Sequence, residues 1–137
     1  MINDDNKYIF NVKTVQSGAF RILIESLKEI LTDTNIIFDK TGIKLMATDN
    51  SQIVLIHMKL HAENFEYFFC EKKTTIGINM MNLFKLIKTM NNNDTLTLYI
   101  EKENPNRLGI KINNMEKNTQ TLFKMNLLDI SDEELSI

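Results

Sequence analysis

Along the first stretch of the chain, Tyr8, Phe10 and Val12 alternate with less apolar residues, the period-2 pattern of a strand with one buried face. Residues 1–6 read as a loose tail. After Ser17-Gly18 the period changes: Phe20, Leu23, Leu27 and Ile30, with Ile24 and Leu31, recur three and four residues apart, which predicts an amphipathic helix over 19–31. From residue 35 to 60 three short apolar runs (36–38, 43–47 and 53–58) are separated by Asp39-Lys40-Thr41-Gly42 and Asp49-Asn50-Ser51-Gln52. Turn-forming residues between β-prone runs predict antiparallel strands. Runs at 65–70 and 74–78 continue the series. Asn79 then suits the N-cap of a second helix whose face is Met80, Leu83, Phe84, Ile87 and Met90. Three more strands, at 96–100, 108–112 and 121–125, complete the body, with a hairpin tip at Glu103-Asn104-Pro105-Asn106. The order predicts an α+β domain, a largely antiparallel sheet carrying two helices on one face. The last nine residues, 129–137, hold four carboxylates and three aliphatics and read as a segment leaving that body.

At 137 residues, with 43% hydrophobic and 25% charged positions, the chain is sized for one core. Sixteen Lys and Arg nearly cancel 18 Asp and Glu, for a net charge of −2. No whole-molecule positive field draws in nucleic acid or an anionic membrane, so any such contact rests on local patches. The single cysteine, Cys70, cannot form an internal disulfide and fits a reducing compartment. The acidic, polar N-terminus and the lack of a long apolar run predict a soluble, intracellular protein.

Candidate chemistry is sparse. The four glycines stand singly, unlike a phosphate-binding loop. His57 and His61, at strand spacing, lie on one side but too far apart to share a metal easily. Cys70 reads as a small core residue, and Asp39 and Asp49 as turn residues that accept from backbone amides. No enzymatic activity, cofactor or metal is expected. On a helical wheel Arg21 and Lys28 fall together on one flank of the first helix, beside Glu25 and Glu29, with Arg21–Glu25 and Glu25–Lys28 pairs expected. In the second helix Lys85 and Lys88 point away from the apolar face, and no acid lies between them. Geometry alone leaves both a solvated surface and a phosphate-facing surface open.

Residues 42–55 read Gly-Ile-Lys-Leu-Met-Ala-Thr-Asp-Asn-Ser-Gln-Ile-Val-Leu. Here the chain resembles the sliding clamps of the proliferating cell nuclear antigen family, in which a Gly-apolar-x-apolar strand leads into an Asp-x-Ser turn and another apolar strand. The likeness continues through Phe65 and Cys70, through Gly77-Ile78-Asn79 ahead of the second helix, through Lys85 and Lys88, and along 123–137. It covers residues 8–137. The resemblance implies a DNA clamp fold, with an N-terminal clamp domain over 8–126 after a flexible tail at 1–7, and a truncated interdomain connecting loop at 127–137. Clamps of this family have about twice this length and form three-chain rings. The chain is therefore expected to be either a fragment lacking the second clamp domain or a natural half, with the fragment favoured because the sequence stops within a linker carrying apolar Leu135 and Ile137.

Several roles come with the resemblance. Arg21, Lys28, Lys85 and Lys88 match positions that face the DNA backbone, with Ile22 where clamps often carry another lysine. Thr48, Gln52, Ile53, Leu55, Leu128, Leu135 and Ile137 match the groove for partner peptides, with Thr48 in place of a larger apolar residue. By alternation alone Ile53 and Leu55 read as core-facing strand residues. Gln120, Thr121, Leu122, Phe123 and Lys124 match the strand edge that pairs with a neighbouring subunit. The implied partners are double-stranded DNA bound without sequence readout, a DNA polymerase, a clamp loader and other proteins with clamp-binding peptides. No membrane partner is implied. The full-length protein would be a homotrimer in the nucleus or another intracellular site of DNA replication, viral sites included. A monomeric clamp-like adaptor and a checkpoint-type clamp subunit are the alternatives.

Overall fold

The period-2 runs become nine strands and the two 3.6-period runs become helices in the computed structural model, which describes residues 5–129. In chain order these are β1 (Tyr8–Thr14), α1 (Ser17–Lys28), β2 (Asp33–Asp39), β3 (Gly42–Thr48), β4 (Leu55–His61), β5 (Tyr67–Cys70), β6 (Thr74–Asn79), α2 (Met80–Ile87), β7 (Thr95–Glu101), β8 (Arg107–Asn114) and β9 (Thr119–Asn126). Single 3₁₀ turns occupy Asp5–Lys7 and Ala62–Asn64. Residues 1–4 and 130–137, which include Leu135 and Ile137, lie outside the described residues.

All the pairings are antiparallel, but the strands are divided between two sheets, ordered β5-β1-β7-β8-β9 and β4-β3-β2-β6. Alternation along a strand specifies which side chains turn inward, not which strand lies beside it, so the division was not predicted. The inner faces of both sheets share one core with the apolar faces of the helices. Phe10 of β1 stacks on Phe38 of β2 with ring centroids 3.8 Å apart and planes 8° from parallel. Leu45, Met80, Leu83, Ile87 and Ile110 are almost wholly buried in the same core. Each such side chain contributes roughly 1.5–3 kcal/mol relative to exposure.

Both helices are shorter than their sequence periodicity predicts. After Lys28 the amides of Ile30 and Leu31 both donate to the Leu27 carbonyl, and Leu31 stays buried although it is beyond α1. The predicted cap of α2 forms: Asn79 Oδ1 accepts from the Asn82 amide at 2.9 Å, and Asn79 Nδ2 donates to Asp33. The helices pack against each other, and Ser17 Oγ at the start of α1 donates to the Asn91 carbonyl just past α2, at 2.8 Å. Gly42, which opens β3, has φ +145° and lies so close to β4 that an added Cβ would sit 2.0 Å from the Leu60 carbonyl oxygen. Only glycine fits that approach.

Candidate functional site

The solvent side of the helix pair carries the four cations singled out above, in two different states. Lys85 and Lys88 are exposed, and among the described residues neither has a carboxylate within 4 Å. Lys28 is folded down. Its side chain is only 13% exposed, with Nζ 4.9 Å from the centre of the Phe84 ring on α2 and 2.5 Å from Glu29 Oε1. Arg21 Nη2 donates to Asn92 Oδ1 at 3.3 Å, and its Nε is buried without a partner among the described residues. The expected i,i+4 and i,i+3 pairs through Glu25 are replaced by these contacts, because α2 and the loop after it offer closer partners. Glu25 on α1 and Glu29 just past its end remain exposed, as does Ile22, at 59%. Of these four cations, the freely presented pair is therefore the one on α2.

The second cluster is built by one carboxylate. Asp49 Oδ1 accepts from the amides of Ile53 and Val54 at 2.9 and 3.0 Å, and Oδ2 accepts from the Ser51 hydroxyl at 2.6 Å. The Ser51 hydroxyl, then the Val54 amide, hold the Asp49 carboxyl below the usual carboxylate range. Gln52 takes a left-handed conformation with φ 62°, and the Asn50 amide donates to the Ile30 carbonyl, fastening the turn to the end of the α1 segment. The chain is thereby kept out of β4 until Leu55, and Ile53 projects with 82% of its surface exposed. Ile53 is thus a turn residue facing solvent, which overturns the core-facing reading. Leu55 is half-exposed and pairs directly across from the half-buried Thr48.

Of the predicted groove residues, the structure brings Thr48, Gln52, Ile53 and Leu55 together. Leu128 lies elsewhere: its amide donates to the Gly77 carbonyl at 2.8 Å, on β6, the sheet edge opposite β4. Leu135 and Ile137 fall outside the described residues. On the other sheet, among the described residues, β9 is an edge strand hydrogen-bonded only to β8. Gln120, Thr121, Leu122 and Lys124 are exposed along it, while Phe123 packs on the core. Lys124 pairs with Glu101 at 3.2 Å.

Candidate catalytic groups do not converge. Cys70 is buried, its thiol is pushed up by burial, and its Sγ contacts the Lys72 carbonyl. His57 and His61 stand on the exposed side of β4. Among the described residues no group of three or more His, Cys, Asp or Glu side chains is placed to hold a metal ion. Sequence reasoning missed Asn92 and Phe84 as the partners of Arg21 and Lys28. It also missed the exposed row of Leu55, His57, Lys59 and His61, which the strict alternation of residues 55–61 signals.

The family model described as proliferating cell nuclear antigen, N-terminal domain, matches residues 9–134. The chain is 35% identical over 134 residues to a protein of Paramecium bursaria Chlorella virus 1 named probable DNA polymerase sliding clamp 1, covering 98% of this chain and 51% of that protein. It is 30% identical over 122 residues to the proliferating cell nuclear antigen of Chaetomium thermophilum, covering 89% of this chain and 47% of the other. With that of Dictyostelium discoideum the identity is 26% over 129 residues, covering 94% and 50%. The chain thus spans about half the length of these relatives.

Proposed function

Because this chain belongs to the proliferating cell nuclear antigen family, we propose that it acts as the N-terminal domain of a DNA sliding clamp, a non-enzymatic processivity factor for a DNA polymerase. The observation that carries this reading is the exposed pair Lys85 and Lys88 on α2, free of carboxylate partners among the described residues in a chain of net charge −2. In a ring, these lysines with Arg21 and Lys28 face the phosphates of duplex DNA. Phosphate contacts hold position without reading sequence. Their weakness suits a clamp retained by encirclement, since each neutralised phosphate adds only a salt-sensitive increment. Lys28, already shared between Phe84 and Glu29, contributes less than the α2 pair.

The turn at residues 49–54 with Thr48 and Leu55 forms one wall of a groove for partner peptides bearing apolar plugs, with Leu135 and Ile137 as the expected connector-side residues; Leu128, bonded to Gly77 at the far sheet edge, is not part of it. Burying one plug contributes about 1.5–3 kcal/mol before ordering costs, so this chain alone binds such peptides weakly. The open edge of β9, residues 120–124, is the surface for a neighbouring subunit in a homotrimer of full-length chains. The protein works at sites of DNA replication, with a clamp loader and polymerase as partners.

In a clamp that carries this domain and a second one, replacing Lys85 and Lys88 together by Glu is expected to reduce loader-dependent retention on DNA and polymerase processivity, with little change in Tm. Unchanged processivity would remove the DNA-facing role of α2. If peptide binding survived in that case, the monomeric adaptor would be the reading left standing.

A further inference from the structure

On the outer face of the four-stranded sheet, the register sets Thr48 opposite Leu55, Met46 opposite His57 and Lys44 opposite Lys59. These residues alternate with Ala47, Ile56, Met58 and Leu60, which pack on the core. Three successive rows therefore lead away from the wall formed by Ile53 and Leu55, and their charge is one-sided. Two lysines and His57 stand on β3 and β4. The acids of this face, Asp33 and Asp39, both lie on β2 and are engaged, Asp33 by Asn79, Asp39 by Thr41 and by Lys44 at 3.1 Å.

Like charges directly opposite on neighbouring strands are unfavourable. Asp39 relieves Lys44. Lys59 is exposed and has no carboxylate within 4 Å among the described residues. An incoming carboxylate would satisfy Lys59 and ease its repulsion from Lys44 together.

We propose that peptides docking on the 48–55 wall carry Asp or Glu on the flank that runs along β4, and that Lys59 is the residue that selects for them. This inference rests on the groove reading above. Rows two residues apart in an antiparallel strand are about 6.8 Å apart, so the Lys44–Lys59 row lies about 13–14 Å from Leu55. An extended peptide has the same rise. Its second residue beyond the last plug passes over Met46 and His57, and its fourth reaches the lysines. The occupant is thus an extended segment of a partner protein, apolar at the plugs and acidic about four residues along. It is recognised by continuity with the groove and by opposite charge.

The test is an NMR titration of the isotope-labelled chain with three synthetic peptides: one with plugs and an Asp/Glu flank, one with plugs and an Asn/Gln flank, and one with the acidic flank but Ala at every plug. The first is expected to bind about two- to fivefold tighter than the second at low salt, the range of a partly exposed ion pair. Its shifts should spread from residues 49–55 to Lys44, Met46, His57 and Lys59. The preference should vanish at high salt and in Lys59→Gln, and reverse in Lys59→Glu, with amide dispersion confirming that both variants are folded. Equal affinity of the first two peptides, with shifts at 49–55 in both, would overturn the flank and leave the groove standing. Binding of the Ala-plug peptide as tightly as the first would overturn it too, showing an anion surface independent of the groove. Absence of shifts at 49–55 with any peptide would remove the groove itself and the flank with it.

Discussion

Asp39 and Asp49 bracket β3 and do the same work at its two ends, each accepting from a hydroxyl and from the backbone of the turn it begins, Asp39 from one amide and Asp49 from two. The Thr41 hydroxyl and amide, with Lys44, hold the Asp39 carboxyl at about 2, against an ordinary value of 3.8. A folded value below the unfolded one means that the native state binds fewer protons. The stabilisation is complete above the unfolded value and is lost as pH falls through the folded one. Urea midpoints of the chain should therefore drop between pH about 4 and about 2, and Asp39→Asn should flatten part of that fall. An identical slope in the variant would count against the assignment. Asp49 and Glu71, also lowered, supply acid sensitivity of the same sign. Both turn aspartates were legible in the sequence, since Asp two residues before Thr or Ser is a local signal. Ile53 was not fully so. Its place in an apolar run spelled strand, while the Asp49 carboxylate takes the amides of residues 53 and 54 and exposes the side chain instead.

Among the elements, α2 depends most on its ends. It is only eight residues long, too short to be stable alone, and Asn79 closes its first turn. Asn79→Ala should cost about 1 kcal/mol, read as a lower midpoint in chemical denaturation; an unchanged midpoint would show the cap to be dispensable. Phe10→Ala, which removes one ring of the stack joining β1 to β2, should cost roughly 3–5 kcal/mol, and thermal unfolding of the variant measures it. The elements themselves were legible, because inward residues repeat at period 2 or 3.6, and so was the Asn79 cap. Strand ends and the assignment of strands to sheets were not, since both depend on partners distant in sequence: β1 pairs with β5 and β7, and β2 with β3 and β6. The same limit applies to the cations. The wheel placed Lys85 and Lys88 outward correctly, but the seat of Lys28 on Phe84 is a contact between helices that neither helix's sequence contains.

For the molecule as a whole, two features act beyond single elements: a near-neutral chain that presents Lys85 and Lys88 on the solvent side of the α2 segment, and a sheet whose last strand among the described residues is β9, paired there on one side alone. Such edges recruit further strands unless blocked, and exposed Leu122 adds apolar surface to this one. Light scattering should show association of the chain rising with concentration, and Leu122→Lys should shift it toward monomer. A monomer at every concentration would argue that β9 has no affinity for another edge. One further property follows from how the chain leaves the domain. The amide of Leu127 is held by the Asn106 carbonyl, beside the five-stranded sheet, and the next amide, that of Leu128, by Gly77 of the four-stranded sheet. Two consecutive peptide units thus suture the two layers at their exit point. A tug on whatever follows residue 129 would meet the bond to the four-stranded sheet, then the bond to Asn106, before it reached β9 itself.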